Sequence, residues 1–444
     1  MWPWPHQVLQ FPGLLEACLW HATIAASIGP RNSTSLFPLQ FPRRINARRP
    51  GKARAASSPG NCEGHTGLYT KVCRIVDPVA VYAVLGCGRF RCQGQLKSPS
   101  RTLRKSVLLF RVRLWHPVRE VRQVTRYSVV ADWGKLPSGW SYYEATSVAV
   151  DSQDRVYVFN RGEHPVIVFD HEGNFIGSWG EGEFQRPHGI WIDKEDHLYL
   201  SDDQDHTVKK FTAEGTHLMT LGESGKPSDT GCDSTDYRQI KRPGGPFNQP
   251  TNVATASDGT IFVSDGYGNC RVHKYSPQGE YLLSWGTPGS GPGEFYLPHG
   301  IAVDGQDRVF VADRENSRLQ IFSATGEFLD EWTDVVRPTQ VYFDPQDNLY
   351  VSELGKRSGL YPWMEADLSE TGGRVSVFSI EGQLLDRFGG GEDPMQAGDF
   401  YTPHDIWVDS QGSIYVAEVT MSGGGNRGLI SPDCVSLQKF TGSG

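Results

Sequence analysis

Residues 295–322 read FYLPHGIAVDGQDRVFVADRENSRLQIF and hold one copy of a pattern that recurs along the chain. Two short strand patterns, 300–303 and 308–312, are separated by the turn Asp-Gly-Gln-Asp, and a third strand pattern follows at 319–322. Apolar and β-branched residues fill the strands, while Gly, Asp and Asn mark the turns. The recurrence indicates a repeat protein.

Six copies of this unit predict the fold. The last strand residue before the first turn is an aspartate in five of them: Asp151, Asp193, Asp304, Asp344 and Asp409. The second strands read VYVFN, LYLSD, IFVSD, VFVAD, LYVSE and IYVAE, and a Gly turn with a fourth strand closes most units. Six four-stranded units predict an all-β, six-bladed β-propeller, and the pattern resembles NHL repeats.

The sixth unit lacks its own fourth strand, because the pattern stops near Phe440. A matching segment, RYSVVADWG, lies far upstream at 126–134. We therefore predict that this segment completes blade six and closes the ring, since an open ring would leave two strand edges unpaired.

Charge divides the chain into two parts. Residues 1–125 contain 19 Lys and Arg against 4 Asp and Glu, a net charge of +15, which leaves −23 for residues 126–444 of a chain whose net charge is −8. An acidic propeller argues against a nucleic-acid partner. Residues 126–444 are predicted to be the propeller, and residues 1–125 a basic extension of low order.

Residues 1–125 lack lasting helical or strand periodicity and are rich in Pro, Ser, Arg and Gly. An Arg-rich, acid-poor leader is compatible with an organelle transit peptide, whereas a secretory signal fits poorly. The compartment stays open, with a lean towards the cytoplasm. No stretch is long and apolar enough to predict a membrane span, and the cysteine spacing does not indicate a disulfide framework. A monomer is expected.

The position five residues before each first turn alternates between threonine and histidine. Blade by blade it is Thr146, His188, Thr251, His299, Thr339 and His404. First strands of a propeller line its central channel, so alternate members of six stand about 120° apart and converge on one point. Three converging imidazoles form a zinc site with an open fourth position. Four other propeller histidines, His197, His206, His217 and His273, are expected to be solvated on turns or outer strands, while the role of His164, closer to the channel mouth, stays open.

Loops that open at the same end of the channel carry further polar groups. They include Arg161 in blade one, Tyr267 in blade three and Arg314 in blade four. Arginines facing a metal suit a substrate with a carboxylate, which a guanidinium binds through two hydrogen bonds. A phenol beside a cation is able to act as a general base.

Several short words of the propeller resemble peptidyl-α-hydroxyglycine α-amidating lyases. They are FNRGEH at 159–164, QPTNV at 249–253, VSDGYGN at 263–269, LPHG at 297–300, VADRENSR at 311–318 and PHDI at 403–406. The resemblance covers nearly the whole propeller and none of residues 1–125. It implies a lyase that cleaves a peptide ending in α-hydroxyglycine into a peptide amide and glyoxylate.

The resemblance also implies roles for single residues. His188, His299 and His404 would hold zinc, Tyr267 would take the hydroxyl proton, and Arg161 and Arg314 would bind the substrate carboxylate. A structural calcium ion would take the side chain of Asp405 and the main-chain carbonyls of Val148 and Ile190, since calcium prefers oxygen ligands.

Two alternatives stay open at this stage. One is a non-catalytic NHL propeller that presents a face to a protein partner, and the other is a different metal-dependent propeller enzyme such as a lactone hydrolase, because a fold alone does not fix an activity. Two insertions, 223–246 and 356–373, enlarge loops of blades two and five and are expected to reshape the channel mouth and the substrate, small molecule or peptide.

Overall fold

The computed structural model describes residues 127–442 except 358–359, 362, 366, 368 and 392. The predicted extension, 1–125, lies outside the described residues. In the described part, six antiparallel four-stranded sheets form the blades of a six-bladed β-propeller, which confirms the predicted fold class. The first strands of successive blades contact one another in order, and the first strand of blade six contacts that of blade one.

The strand bounds repeat from blade to blade. Blade one has Ala145–Val150, Val156–Asn160, Val166–Phe169 and Phe175–Trp179; blade two has Pro187–Ile192, Leu198–Asp202, Thr207–Phe211 and His217–Gly222; blade three has Pro250–Thr255, Ile261–Asp265, Arg271–Tyr275 and Tyr281–Trp285. Blade four has Pro298–Val303, Val309–Asp313, Arg318–Phe322 and Phe328–Trp332, and blade five has Pro338–Phe343, Leu349–Glu353, Arg374–Phe378 and Leu384–Gly389.

Blade six closes the ring as predicted. It consists of Pro403–Val408, Ile414–Glu418, Leu437–Gly442 and, as its fourth strand, Tyr127–Val129. Val129 pairs with Phe440, and the ring of Tyr127 packs against Phe388 of the neighbouring blade. The beginning of the described chain thus covers the strand edge at its end.

Regular structure outside the blades is short. A parallel pair joins Thr287–Pro288 to Glu294–Phe295, the helix Thr420–Gly423 has four residues, and 3-10 turns occupy Tyr237–Gln239, Arg314–Asn316 and Gly425–Arg427. None of the helices described for this chain has the length and apolar character to cross a bilayer.

The repeated aspartate has the structural role that its position indicates. In blade four, the Asp304 Oδ1 atom accepts hydrogen bonds from the backbone N–H groups of Gln306 and Arg308, at 2.9 and 2.8 Å, and Oδ2 bonds the Arg308 guanidinium. The same pair of backbone bonds recurs at the other four copies of this aspartate. Five of the six blades therefore fix their first turn through this carboxylate.

Replacing that carboxylate tests this role. Asp304 is 5% exposed, so Asp304→Ala would leave two backbone donors without their acceptor and lower the free energy of unfolding by about 2 kcal/mol. Urea unfolding measures the change. Asp330→Ala, which removes an exposed carboxylate from the outer strand of the same blade, is the matched control. Equal stability of both variants would contradict this role.

Candidate active site

The three alternating histidines meet inside the ring. His188, His299 and His404 each occupy the second position of a first strand, in blades two, four and six. Their ring centroids lie 4.7–4.9 Å apart, and one nitrogen from each ring lies within 4.8 Å of the other two. All three side chains are buried. The structure thus brings together the three residues that the alternation singled out.

One hydrogen bond fixes each imidazole. The Nδ1 atoms of His188, His299 and His404 lie 2.7 Å from the carbonyl oxygens of Thr251, Thr339 and Thr146, respectively. A carbonyl only accepts, so each Nδ1 carries the proton and each Nε2 keeps its lone pair. Metal-binding histidines commonly donate their other ring N–H to an acceptor of this kind.

The electrostatics also keep the rings neutral. Burial and the charges of nearby guanidinium groups lower the pKa of all three histidines, to about 3 for His404, and neighbouring imidazoles also lower the pKa of His188 and His299. Three neutral imidazoles that offer unprotonated Nε2 atoms fit a zinc ion with an open fourth position. That these residues hold zinc stays a prediction.

The threonines of the alternating pattern hold the histidines in position. The carbonyl of each threonine orients the histidine of the preceding blade, while two threonine hydroxyls reach forward. Thr251 Oγ1 lies 3.1 Å from the carbonyl oxygen of Pro298, and Thr339 Oγ1 lies 3.0 Å from that of Pro403. Both prolines precede a histidine. The sequence displayed this pattern, but it did not reveal that the threonines position the histidines.

Tyr267 and Arg314 lie directly on the histidine cluster. The Tyr267 hydroxyl is 3.3 Å from Nε2 of His188 and 3.2 Å from Nε2 of His299, and Arg314 Nη1 donates to it at 3.3 Å. Arg314 is 1% exposed, and its Nε donates to Glu315 at 2.9 Å. The Tyr267 hydroxyl is therefore in contact with a buried cation and two imidazoles.

Arg161 lies behind His188 and does not bond the phenol. Its Nε donates to the carbonyl of Pro187 at 2.9 Å, and its Nη1 donates to Glu144 at 2.7 Å. Its charge is close enough to lower the pKa of His404 and of His188. Arg161 thus supports the position of His188 and adds positive charge to the site.

A second ion pair beside Arg161 was missed by sequence reasoning. Asp203 is completely buried, 3.1 Å from Arg186 Nη1 and 3.8 Å from Arg161 Nη2. Burial raises the pKa of Asp203 to about 6, against the opposing effect of the two arginines. Arg186, which directly precedes Pro187, is a third arginine at this site. No pattern in the sequence predicted that it pairs with Asp203.

The residues of the expected calcium site lie on the first strands of three blades. Asp405 is 1% exposed, and burial raises the pKa of its carboxyl to about 8. The Ser147 hydroxyl is in contact with this carboxylate and lies 2.9 Å from the carbonyl oxygen of His188. Val148 and Ile190, which follow Ser147 and His188 closely in the chain, are buried. A buried carboxylate and nearby carbonyls are oxygen donors of the type that calcium takes, and the ion stays a prediction.

The prediction of a solvated His273 is wrong. This histidine lies on the third strand of blade three, is fully buried, and has its Nε2 atom 3.2 Å from the Asp265 carboxylate. Asp265 also accepts two bonds from the Asn248 backbone N–H. His273 therefore belongs to the polar interior of the blade, where a buried carboxylate pairs with it.

The two insertions meet beside the site. Tyr361 and Trp363, from blade five, stack with ring centroids 4.5 Å apart and an interplanar angle of 5°. From blade two, the ring centroid of Tyr237 lies 5.7 Å from that of Tyr361, and the Arg238 guanidinium lies 3.8 Å from the centre of the Trp363 ring. Arg314 Nη2 donates to the Tyr361 hydroxyl. We call Tyr237, Arg238, Tyr361 and Trp363 the aromatic cap.

Comparison with known families agrees with the fold. The NHL repeat family matches residues 247–275 and 295–322, and a family described as a 6-bladed beta-propeller matches residues 146–222. The chain therefore contains NHL repeats in a six-bladed propeller.

Similar proteins carry two kinds of name. Peptidylglycine alpha-amidating monooxygenase of Rattus norvegicus is 30% identical over 309 residues, which cover 62% of this chain and 29% of that protein. Peptidyl-alpha-hydroxyglycine alpha-amidating lyase 1 of Drosophila melanogaster is 31% identical over 54% of this chain and 44% of its own length. NHL repeat-containing protein 3 of Homo sapiens is 29% identical over 66% of this chain and 81% of its own length. The chain thus spans less than half of the two relatives named for amidation.

The convergence of the histidines yields a direct test. His299→Ala removes one of three nitrogen donors, so bound zinc should fall from about one ion per chain to near zero. Elemental analysis of protein that has never met a chelator measures this. The control is His217→Ala, which removes an exposed histidine on the outer strand of blade two. Full zinc content in His299→Ala would contradict the proposed ligand set.

Proposed function

We propose that the protein is a zinc-dependent carbon–nitrogen lyase that cleaves an N-acyl-α-hydroxyglycine into an amide and glyoxylate. One observation carries the proposal: Arg314 Nη1 and the Nε2 atoms of His188 and His299 all lie within hydrogen-bond distance of the Tyr267 hydroxyl. The relatives named for amidation support the reaction class at about 30% identity.

The bond changes of this reaction are balanced within the substrate. The hydroxyl O–H bond breaks and a C=O bond forms, while the C–N bond breaks and its electron pair goes to nitrogen, which gains a proton. A bound zinc ion would supply the Lewis acidity that lowers the pKa of the substrate hydroxyl. No oxidant or second substrate is needed.

In this proposal Tyr267 receives the hydroxyl proton. Its oxygen lies beside the histidine cluster and accepts a hydrogen bond from Arg314 Nη1, and the centre of the Arg314 guanidinium is 5.4 Å from the ring centre. The phenol formed by this transfer can return the proton to the leaving amide nitrogen. Tyr267 would thus act first as general base and then as general acid.

In this proposal Arg314 and Arg161 hold the substrate carboxylate. Arg314 is buried with its Nη groups directed at two phenol oxygens rather than at a carboxylate of the protein. An anionic substrate group would give this cation a stronger partner. Arg161, already paired with Glu144, would contribute through its charge and through its hold on Pro187.

Other elements of the proposal follow from the same residues. Calcium at Asp405, with the carbonyls of Val148 and Ile190, would neutralise a buried carboxylate and join three blades. Each residue assigned a role lies on this one chain, so the enzyme is proposed to act as a monomer. Its partner is a small-molecule or peptide substrate with a carboxylate.

A binding scaffold is the second candidate. It rests on the human relative named only for its NHL repeats, of which this chain covers 81%. The two functions are separated by incubating the protein with α-hydroxyhippurate and identifying the products. The lyase yields benzamide and glyoxylate in equal amounts, a hydrolase of the acyl bond yields benzoate, and a scaffold leaves the substrate unchanged.

Tyr267→Phe tests the proposed mechanism. The ring still fills its place, but the proton acceptor is lost, so glyoxylate release should fall by about 10²- to 10⁴-fold while zinc content stays the same. Tyr281→Phe, at a 58% exposed position on an outer strand, is the matched control. An unchanged rate in Tyr267→Phe would remove this residue from the mechanism.

A further inference from the structure

Arg314 is bound in an unusual way for a buried cation. Its Nε atom bonds Glu315, but the same Glu315 carboxylate accepts a second bond from Arg337, at 2.9 Å. Among the residues that the structure describes, the two Nη groups of Arg314 donate to two phenol oxygens, those of Tyr267 and Tyr361. A shared carboxylate and two neutral acceptors leave this edge of the guanidinium complementary to one further anion.

Tyr361 stands at the same edge. It is 7% exposed and packs with Tyr267 and Leu297 in one buried cluster. Because its oxygen accepts the hydrogen bond from Arg314, its own O–H proton is available to a second acceptor. Burial raises the pKa of Tyr361 well above its ordinary value, which keeps that proton in place at neutral pH. A carboxylate paired with Arg314 would receive this donor as well.

The rest of the aromatic cap defines a wall beside that position. The Tyr361 and Trp363 rings are parallel, Tyr237 lies against both, and Arg238 covers Trp363. Met364 and Leu360 pack on the same cluster. Because Tyr361 and Arg238 cover the two faces of Trp363, this wall offers ring edges, which suit an edge-to-face contact with a flat apolar group. It comes from the insertions at 223–246 and 356–373 rather than from the repeated blades.

We propose that Tyr361 is a substrate-binding residue whose hydroxyl donates to the substrate carboxylate beside Arg314, and that the aromatic cap selects substrates with a short, aromatic N-acyl group. This inference rests on the proposed function, because it takes the N-acyl-α-hydroxyglycine as substrate. It adds the residue that completes the carboxylate site and the class of acyl group that fits.

The carboxylate part is tested by binding without turnover. Hippurate carries the carboxylate and the benzoyl amide but lacks the α-hydroxyl group, so it cannot be cleaved by this reaction. Isothermal titration should show hippurate binding about tenfold weaker in Tyr361→Phe than in the wild type, the loss expected for one hydrogen bond to a charged group. Phenylalanine keeps the stack on Trp363, and Tyr281→Phe is the control.

Kinetics with α-hydroxyhippurate separate binding from a structural effect. Tyr361→Phe should raise KM about tenfold and change kcat by less than about twofold, because the lost bond is made equally in ground and transition states. A misplaced loop would instead lower kcat through Tyr267 and Arg314. Equal loss of kcat and kcat/KM would overturn the assignment of Tyr361 to substrate binding.

The acyl preference is tested by comparing substrates. The wild type should favour α-hydroxyhippurate over N-acetyl-α-hydroxyglycine by about tenfold in kcat/KM, and Trp363→Ala should remove most of that preference, since one aromatic contact is lost. A preference that survives Trp363→Ala, or a wild type that favours a long peptidyl substrate, would overturn the proposed selectivity.

The outcomes distinguish this inference from the reaction itself. Hippurate binding that depends on Tyr361 without glyoxylate release would overturn the lyase function and keep the carboxylate site. Glyoxylate release with hippurate affinity unchanged in Tyr361→Phe would keep the function and overturn the inference. A wild type that binds no hippurate would overturn the inference as well.

Discussion

Three hydrogen bonds from histidine Nδ1 atoms to threonine carbonyls organise the site. Each joins one blade to the next blade, which carries threonine at the equivalent position, at 2.7 Å. Because each bond fixes both the tautomer and the orientation of a ring, the three Nε2 atoms face one point. The closed ring is the condition for this arrangement, since blades two, four and six are far apart in the chain and meet only when blade six completes itself with Tyr127–Val129.

The charges around the histidines follow from the same constraint. Neutral imidazoles in a buried place tolerate nearby cations, and Arg161 and Arg314 stand on two sides of them, each paired with a glutamate. Glu144 and Glu315 lower the free-energy cost of burying these guanidinium groups, because an unpaired buried charge is strongly unfavourable. The Nη groups of Arg314 face two phenol oxygens, which supports the proposal of an anionic ligand.

Repetition decided what the sequence was able to predict. The strands, the aspartate turns and the place of the three histidines recur at fixed offsets, so one well-understood copy predicts the others, and closure by 126–134 followed from the missing fourth strand. The buried polar pairs formed by His273 and Asp203 were not predicted, because such a pair in a blade has no periodic signature. The place of Tyr361 and Trp363 beside the site was not predicted, because the insertions carry no repeat. Their contact with Tyr237 depends on how two loops fold.

The most direct test of this account is zinc-edge X-ray absorption on the purified full chain. The account predicts one zinc ion with three imidazole nitrogens at about 2.0–2.1 Å and a light oxygen ligand in the fourth position. The described residues also place Asp193, Glu195 and His197 close together on a partly exposed turn. A spectrum with a single imidazole and carboxylate oxygens would assign the metal to that turn and contradict the account.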